Sequence, residues 1–447
     1  MSETQSTTVR SVAWKEVFCW VHVFRAFRIA AGARVLVLGA IGALLTAIVW
    51  WFFAVLFLPA EGAPSVGAAW LQPYTICPWK TVTDQLVPDQ PSLPGLPERT
   101  DQLIPPVESW RPRDPLFGAW AQLTQPLWRL FTPGMGLREF VCLALCGLGA
   151  AAVWALFGGA IARIAAVELA SEEHVGFAAS LRFAARKWIS YFVAPLLPLA
   201  GIAAATVPIL LVAWIARFDV GLFLLGLGWP VLLLLGFVMV LLLVGLLFGW
   251  PLMWPTISAE GTDSFDALSR SYAYVFQRPL HYLFYAAVAA LLGWLGWLLV
   301  RNLAAAVAWM TYWAASWTAG YPRVEAIISG EALEGIARAG AVVIHYWVGC
   351  VKLVAAGFFF GYFWVACTAI YFLLRRDVDN APIDEVFLEA DESEKSYGLP
   401  AIGADSAGAP VVTEKPQAEA TSAALPEQSA AGTAVQKSAG EGITPPQ

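Results

Sequence analysis

The chain has 447 residues, of which 59% are hydrophobic and only 13% charged, with a mean hydropathy of +0.64 and a formal net charge of −6. A soluble domain carries about 25% charge. This composition therefore excludes a water-soluble globular protein and, with apolar runs of roughly 20 residues, points to an all-α, polytopic membrane protein.

Residues 1–10 are polar. Residues 11–34 read as an interfacial amphipathic helix. Lys15, His22, Arg25 and Arg28 share one sector of its wheel, and Val17, Trp20, Val23, Phe24 and Phe27 fill the opposite one. The first span covers 35–58; it is too long for a signal-peptide core and is expected to stay in the membrane. A Pro-rich loop of mixed charge follows at 59–135, in which Trp70, Trp79, Trp110 and Trp120 predict some order. Span two covers 137–161, followed by a second amphipathic segment at 170–188. Spans three (189–216) and four (221–255) form a hairpin across Asp219. A third amphipathic segment occupies 261–279, span five 280–300, a Trp- and Ala-rich stretch 303–319 and span six 341–374.

The chain thus divides into an arm and interfacial helix (1–34), a six-span membrane domain (35–376) and a tail (377–447). From Asp377 onward, thirteen acids against three bases give a balance of −10 and leave the rest at about +4. The tail is rich in Ala, Glu, Ser, Pro and Gly, and its composition predicts disorder. Basic residues concentrate in the arm, in 162–188, in 259–279 and at Arg375 and Arg376. The positive-inside rule therefore predicts cytoplasmic N- and C-termini.

The stretch GTDSFDALSRSYAYVFQRPLHY (261–282) has an internal logic. Thr262 or Asp263 is a good N-cap and Asp266 sits in the first turn. Phe265, Leu268, Tyr272, Val275 and Phe276 form an apolar stripe, and Pro279 ends the helix. The same design predicts a helix over 171–188, with Ser171 as its cap, Glu172 and Glu173 in the first turn, and Phe177, Leu181, Ala184 and Trp188 as the stripe. Arg25, Arg28, Arg182, Arg186, Lys187, Arg270 and Arg278 are the expected contacts with lipid head groups, at about 1 kcal/mol each. An aromatic five residues before an arginine recurs at Trp20/Arg25, Phe177/Arg182 and Phe265/Arg270, each time ahead of two spans. Three parallel units of interfacial helix, span and span follow from this, around a pseudo-threefold axis. Through Ala267, Leu268 and Ser271, the stretch 261–282 resembles an interfacial segment of bacterial polytopic proteins related to the membrane domain of glycerophosphodiester phosphodiesterases. The resemblance covers some 20 residues and a weaker echo at 177–188. It implies architecture without activity, because that family's catalytic domain has no counterpart in this sequence.

Chemistry-bearing motifs are sparse. No phosphate loop, HExxH, GxSxG or CxxC occurs, and the four histidines, His22, His174, His281 and His345, are scattered. No catalytic role, metal or cofactor is expected, and no nucleic-acid partner. Lys352 is the chief intramembrane charge: it either snorkels to head groups or lines an anion-binding cavity. Arg301 with Asn302, placed at the outer end of span five, is read the same way. No acid falls mid-span, which argues against a cation-coupled transporter. Pro195, Pro198, Pro208, Pro230, Pro251 and Pro255 interrupt the apolar runs, and Gly357 with Gly361 forms a GxxxG for close helix packing within or between chains. The sequence therefore predicts a bacterial-type inner-membrane protein that organises lipid or scaffolds partners, with lipids around the body and a cytoplasmic protein on the acidic tail. A transporter or channel for a lipid or small solute is the alternative.

Overall fold

In chain order the helices are α1 (His22–Ala30), α2 (Ala33–Phe57), α3 (Gln72–Ile76), α4 (Pro78–Leu86), α5 (Pro115–Leu130), α6 (Leu137–Ala170), α7 (Phe177–Arg186), α8 (Trp188–Ile215), α9 (Asp219–Glu260), α10 (Ser264–Gln277), α11 (Pro279–Ala319), α12 (Tyr321–Ser329) and α13 (Gly335–Asp379). This computed structural model describes residues 22–58, 69–76, 78–86, 114–132, 135–171, 174–330 and 333–387 of a first unit, and 401–404 and 410–413 of a second, which begins at Leu388. In the second unit β1 (Ala401–Ala404) pairs antiparallel with β2 (Pro410–Thr413). Lys15, Val17, Trp20, Cys77, Glu172 and Glu173, or their side chains, lie outside the described residues.

Six helices, α2, α6, α8, α9, α11 and α13, are long and apolar enough to cross a membrane. Several outrun the apolar runs that announce them. The 42 residues of α9 rise about 63 Å at 1.5 Å each, against a hydrocarbon core of about 30 Å. At least one of its charged ends, Asp219 or Glu260, therefore reaches beyond the lipid tails. Span five and the Trp- and Ala-rich stretch are one helix, α11, so Arg301 and Asn302 lie within it and not at its end. The body also extends past the expected boundary at 377. α13 runs to Asp379, and the Phe387 N–H donates to the Ala259 carbonyl at 2.7 Å.

The packing has a cyclic order. The second span of each proposed unit, α6, α9 and α13, packs against the other two. The first spans, α2, α8 and α11, lie outside this triplet. α2 packs on α6 and α13, α8 on α9 and α6, and α11 on α13 and the loop helix α5. The short amphipathic helices obey the same rotation: α7 packs on α6, α10 on α9 and α1 on α13. Each therefore leans on the inner helix of the unit before it.

Tryptophans answer the prolines. A helical proline leaves the carbonyl four residues earlier without its N–H. Pro195 frees the Tyr191 carbonyl, which accepts from Trp254 Nε1 at 2.8 Å. Pro251 frees the Leu247 carbonyl, which accepts from Trp120 Nε1 at 2.9 Å. The second bond fastens α5, part of the expected loop, onto α9.

The amphipathic segments differ in detail from their sequence reading. Asp263 is the N-cap of α10, accepting from Phe265 N and Asp266 N at 3.0 Å. Ser171 is not the cap of α7. Its hydroxyl donates to the Val167 carbonyl at 2.9 Å and closes α6, while α7 starts after Gly176. The buried faces match the expected stripes only in part: Val275 and Ala184 are buried, Leu268, Tyr272, Leu181 and Trp188 pack partly buried on the core, and Phe265, Phe276 and Phe177 are exposed. α10 buries Ala267, Ser271, Tyr274 and Val275 and leaves Phe265 68% exposed. α7 buries Ser180, Phe183 and Ala184 and leaves Phe177 exposed. Small residues let each helix approach its neighbour closely, alongside the buried Tyr274, Val275 and Phe183, while Phe265 and Phe177 remain outside.

Candidate functional site

Where the inner helices end, charge is gathered and neutralised. Glu260, at the end of α9, accepts from Tyr371 Oη at 2.6 Å and pairs with Arg270 at 2.7 Å and Arg375 at 3.4 Å. Arg375 also reaches Glu385 at 3.1 Å, which ties residues 380–387 to the body. Tyr274 Oη donates to Asp379; burial first, and then that carboxylate, push its phenol above the usual range, so it stays a neutral donor. In α6, Arg163 is buried, donates to the Ser258 carbonyl at 2.7 Å and stacks 4.3 Å from the Phe183 ring centre.

Besides Arg270, paired with Glu260, the residues expected to meet head groups divide into two sets. Arg28, Arg182, Arg186 and Arg278 are exposed. Arg25 and Lys187 instead cap helix ends. Arg25 donates to the Glu168 carbonyl at 3.0 Å, and Lys187 to the Gly261 carbonyl at 2.6 Å, where the dipole favours a cation. Lys352 is only 4% exposed, so it does not snorkel. Arg301 is half-buried in α11 and Asn302 is buried beside it, with Nδ2 donating to the Leu298 carbonyl at 2.7 Å. The GxxxG of α13 lies against α2 of the same chain, with Gly357 at Gly39 and Ala40, and Gly361 at Val35. Cys142, Cys146 and Cys367 are buried and Cys350 half-buried, all as free thiols. Among the described residues, no group of three His, Cys, Asp or Glu could hold a metal.

A predominantly apolar cavity lies elsewhere. It has a volume of about 400 Å3 and opens between α5, α6, α8 and α9. Its walls are Leu123, Leu127, Ala151, Leu199 and Leu246, and Trp154, Trp250, Trp254 and Trp364 form its inner end. Trp254 stacks on Trp364 at 4.3 Å, and Trp250 meets Trp364 edge-on at 5.5 Å. The inner triplet thus supplies a rigid aromatic floor, and α5 supplies one wall. The lining is almost wholly apolar; its few polar groups include the Thr124 hydroxyl and the indole N–H groups of Trp154, Trp250 and Trp364, the latter three buried without an acceptor.

Sequence reasoning missed α5 and its cap. Asp114 caps α5, with Oδ2 accepting from Phe117 N at 2.9 Å. Its other oxygen is buried without a donor, 3.2 Å from where a Cβ on Gly293 would stand. The Asp114–Pro115 pair is a local helix-start signal, but nothing local places that start beside α11 and α13.

The fold and the cavity define an all-α, multi-pass membrane protein. No protein-family model, curated protein or solved structure matches the chain.

Proposed function

We propose that this protein organises lipid in a bacterial-type inner membrane and scaffolds partners there, with both termini in the cytoplasm. The observation that carries the reading is the apolar cavity, whose volume falls within the range of about 300–1,000 Å3 typical of small-molecule sites. It sits between spanning helices, where the molecules at hand are lipids, and it has the chemistry of an acyl chain. The acidic tail supplies a surface for a basic cytoplasmic partner. The reading assigns no catalytic role. The resemblance of 261–282 to membrane domains of the phosphodiesterase-related family adds an architecture to it, and no reaction.

Native mass spectrometry of the full chain released from gentle detergent tests the proposal. The wild type is expected to retain lipid. Ala151→Trp, which fills the cavity from α6, should lower that occupancy about tenfold, equivalent to about 1.4 kcal/mol, with little change in melting temperature. Equal lipid retention by both proteins would refute it.

A transporter is the second reading, favoured by one observation: Lys352 is a buried cation inside a spanning helix. It requires solute flux into proteoliposomes that Lys352→Ala lacks.

A further inference from the structure

We propose that the cleft beside the α1–α2 turn binds the phosphate of a membrane lipid. The proposal rests on the lipid reading above and gives it a head-group site, further along α6 (Ile164 and Glu168) than the part that lines the apolar cavity (Ala144 to Trp154).

The cleft has a volume of about 340 Å3 and is lined by Arg28, Gly32, Arg34, Ile164, Glu168 and His174. Its depth follows from the sequence. α2 is the first span and starts at Ala33, so the cleft lies where hydrocarbon gives way to head groups. Its charge is unbalanced. The Glu168 carboxylate is committed to Arg34 at 2.6 Å and to His174 at 3.3 Å, and Arg34 also donates to the Val175 carbonyl. Arg28 is exposed and has no hydrogen-bond or ion-pair partner among the described residues. Among the described residues, one guanidinium therefore faces the cleft without a counter-charge. The first turn of α2 adds to the same field: Gly32 provides no side-chain cap, so the leading N–H groups of a 25-residue helix lack a side-chain acceptor. A guanidinium and free backbone donors at one point suit a phosphate oxygen. Ile164 provides an apolar wall for the glycerol carbons. Basic pockets between transmembrane helices at this level are a recurring seat for anionic head groups.

The test uses the full chain in dodecyl maltoside. Its melting temperature is followed by tryptophan fluorescence against rising dioctanoyl phosphatidic acid, dioctanoylglycerol or inorganic phosphate. Phosphatidic acid is expected to raise the melting temperature saturably, while the other two do not over the same concentrations. Arg28→Gln should weaken the apparent affinity about tenfold. Arg217→Gln, which removes an exposed arginine from the turn between α8 and α9, should leave it unchanged. An equal response to dioctanoylglycerol, or equal affinities for wild type and Arg28→Gln, overturns the site. Equal losses in both variants also overturn it, because they reveal diffuse surface charge. Inorganic phosphate binding as tightly overturns the lipid assignment. Any of these results, with lipid still retained in the cavity beside Ala151, removes the head-group site and leaves the function proposed above standing.

Discussion

Gly357→Ala is expected to cost about 3 kcal/mol or more, and to abolish a monodisperse species in detergent. The reason lies in what a methyl group would meet. A Cβ on Gly357 overlaps the Leu36 carbonyl oxygen and stands 2.9 Å from the Ala40 backbone nitrogen, and a Cβ on Gly39 overlaps the Gly357 carbonyl oxygen. Both obstacles are backbone, so no rotamer can relieve them, and α2 would have to move off α13. Two other glycines of α13 calibrate the effect. At Gly361 the nearest atom is Val35 Cγ1 at 2.7 Å, a side chain that can turn, so Gly361→Ala should cost about 1 kcal/mol. At Gly340 a Cβ meets nothing within 4 Å, so Gly340→Ala should be neutral or stabilise by up to about 1 kcal/mol. SDS titration followed by tryptophan fluorescence ranks the three. A Gly357→Ala protein as stable as Gly340→Ala would show that the two helices do not cross there.

Glu260→Ala is the second large effect, at about 3–5 kcal/mol. Both Glu260 and Arg375 are about nine-tenths buried at their side chains, so removing the carboxylate leaves the buried guanidinium with only the largely exposed Glu385 carboxylate as a counter-charge. The Tyr371 hydroxyl loses its acceptor as well. Arg270→Ala should cost less than about 1 kcal/mol, because that side chain is 44% exposed and water replaces its partner. Replacing Glu260 and Arg375 together, with Gln and Met, should recover much of the loss, since neither is then left with a bare charge. The same titration measures all four proteins. If Glu260→Ala lost no more than Arg270→Ala, the cluster would not hold α9 to α13.

The six spans were legible because hydropathy over about 20 residues is a property of the local sequence. The Asp263 cap was legible for the same reason, since its acceptor and donors lie within three residues. The buried faces of α7 and α10 were legible only in part, at Ala184 and Val275. In water an apolar stripe marks the side that packs, but beside lipid Phe265 can face outward at no cost. Ser180, Phe183, Ala267, Ser271 and Tyr274, none of them in the expected stripes, complete the contact. Ser171 misled because a serine hydroxyl can cap the start of one helix or bond back into the end of another, and six residues separate the two outcomes. Lys352 was read as either a snorkelling or a cavity residue, and burial removes the first. The tryptophan-floored cavity and the placement of Asp114 depend on contacts between residues more than 100 positions apart, which no local pattern carries.

Cysteine accessibility on the full chain, with its six native cysteines replaced, tests the central claim most directly. Arg217→Cys, in the turn between α8 and α9, and Gln277→Cys, at the end of α10, are each treated with a membrane-impermeant maleimide in intact cells and again after permeabilisation. The account predicts that Arg217→Cys is labelled in intact cells and Gln277→Cys only after permeabilisation. Labelling of both in intact cells, or the reverse pattern, would contradict it.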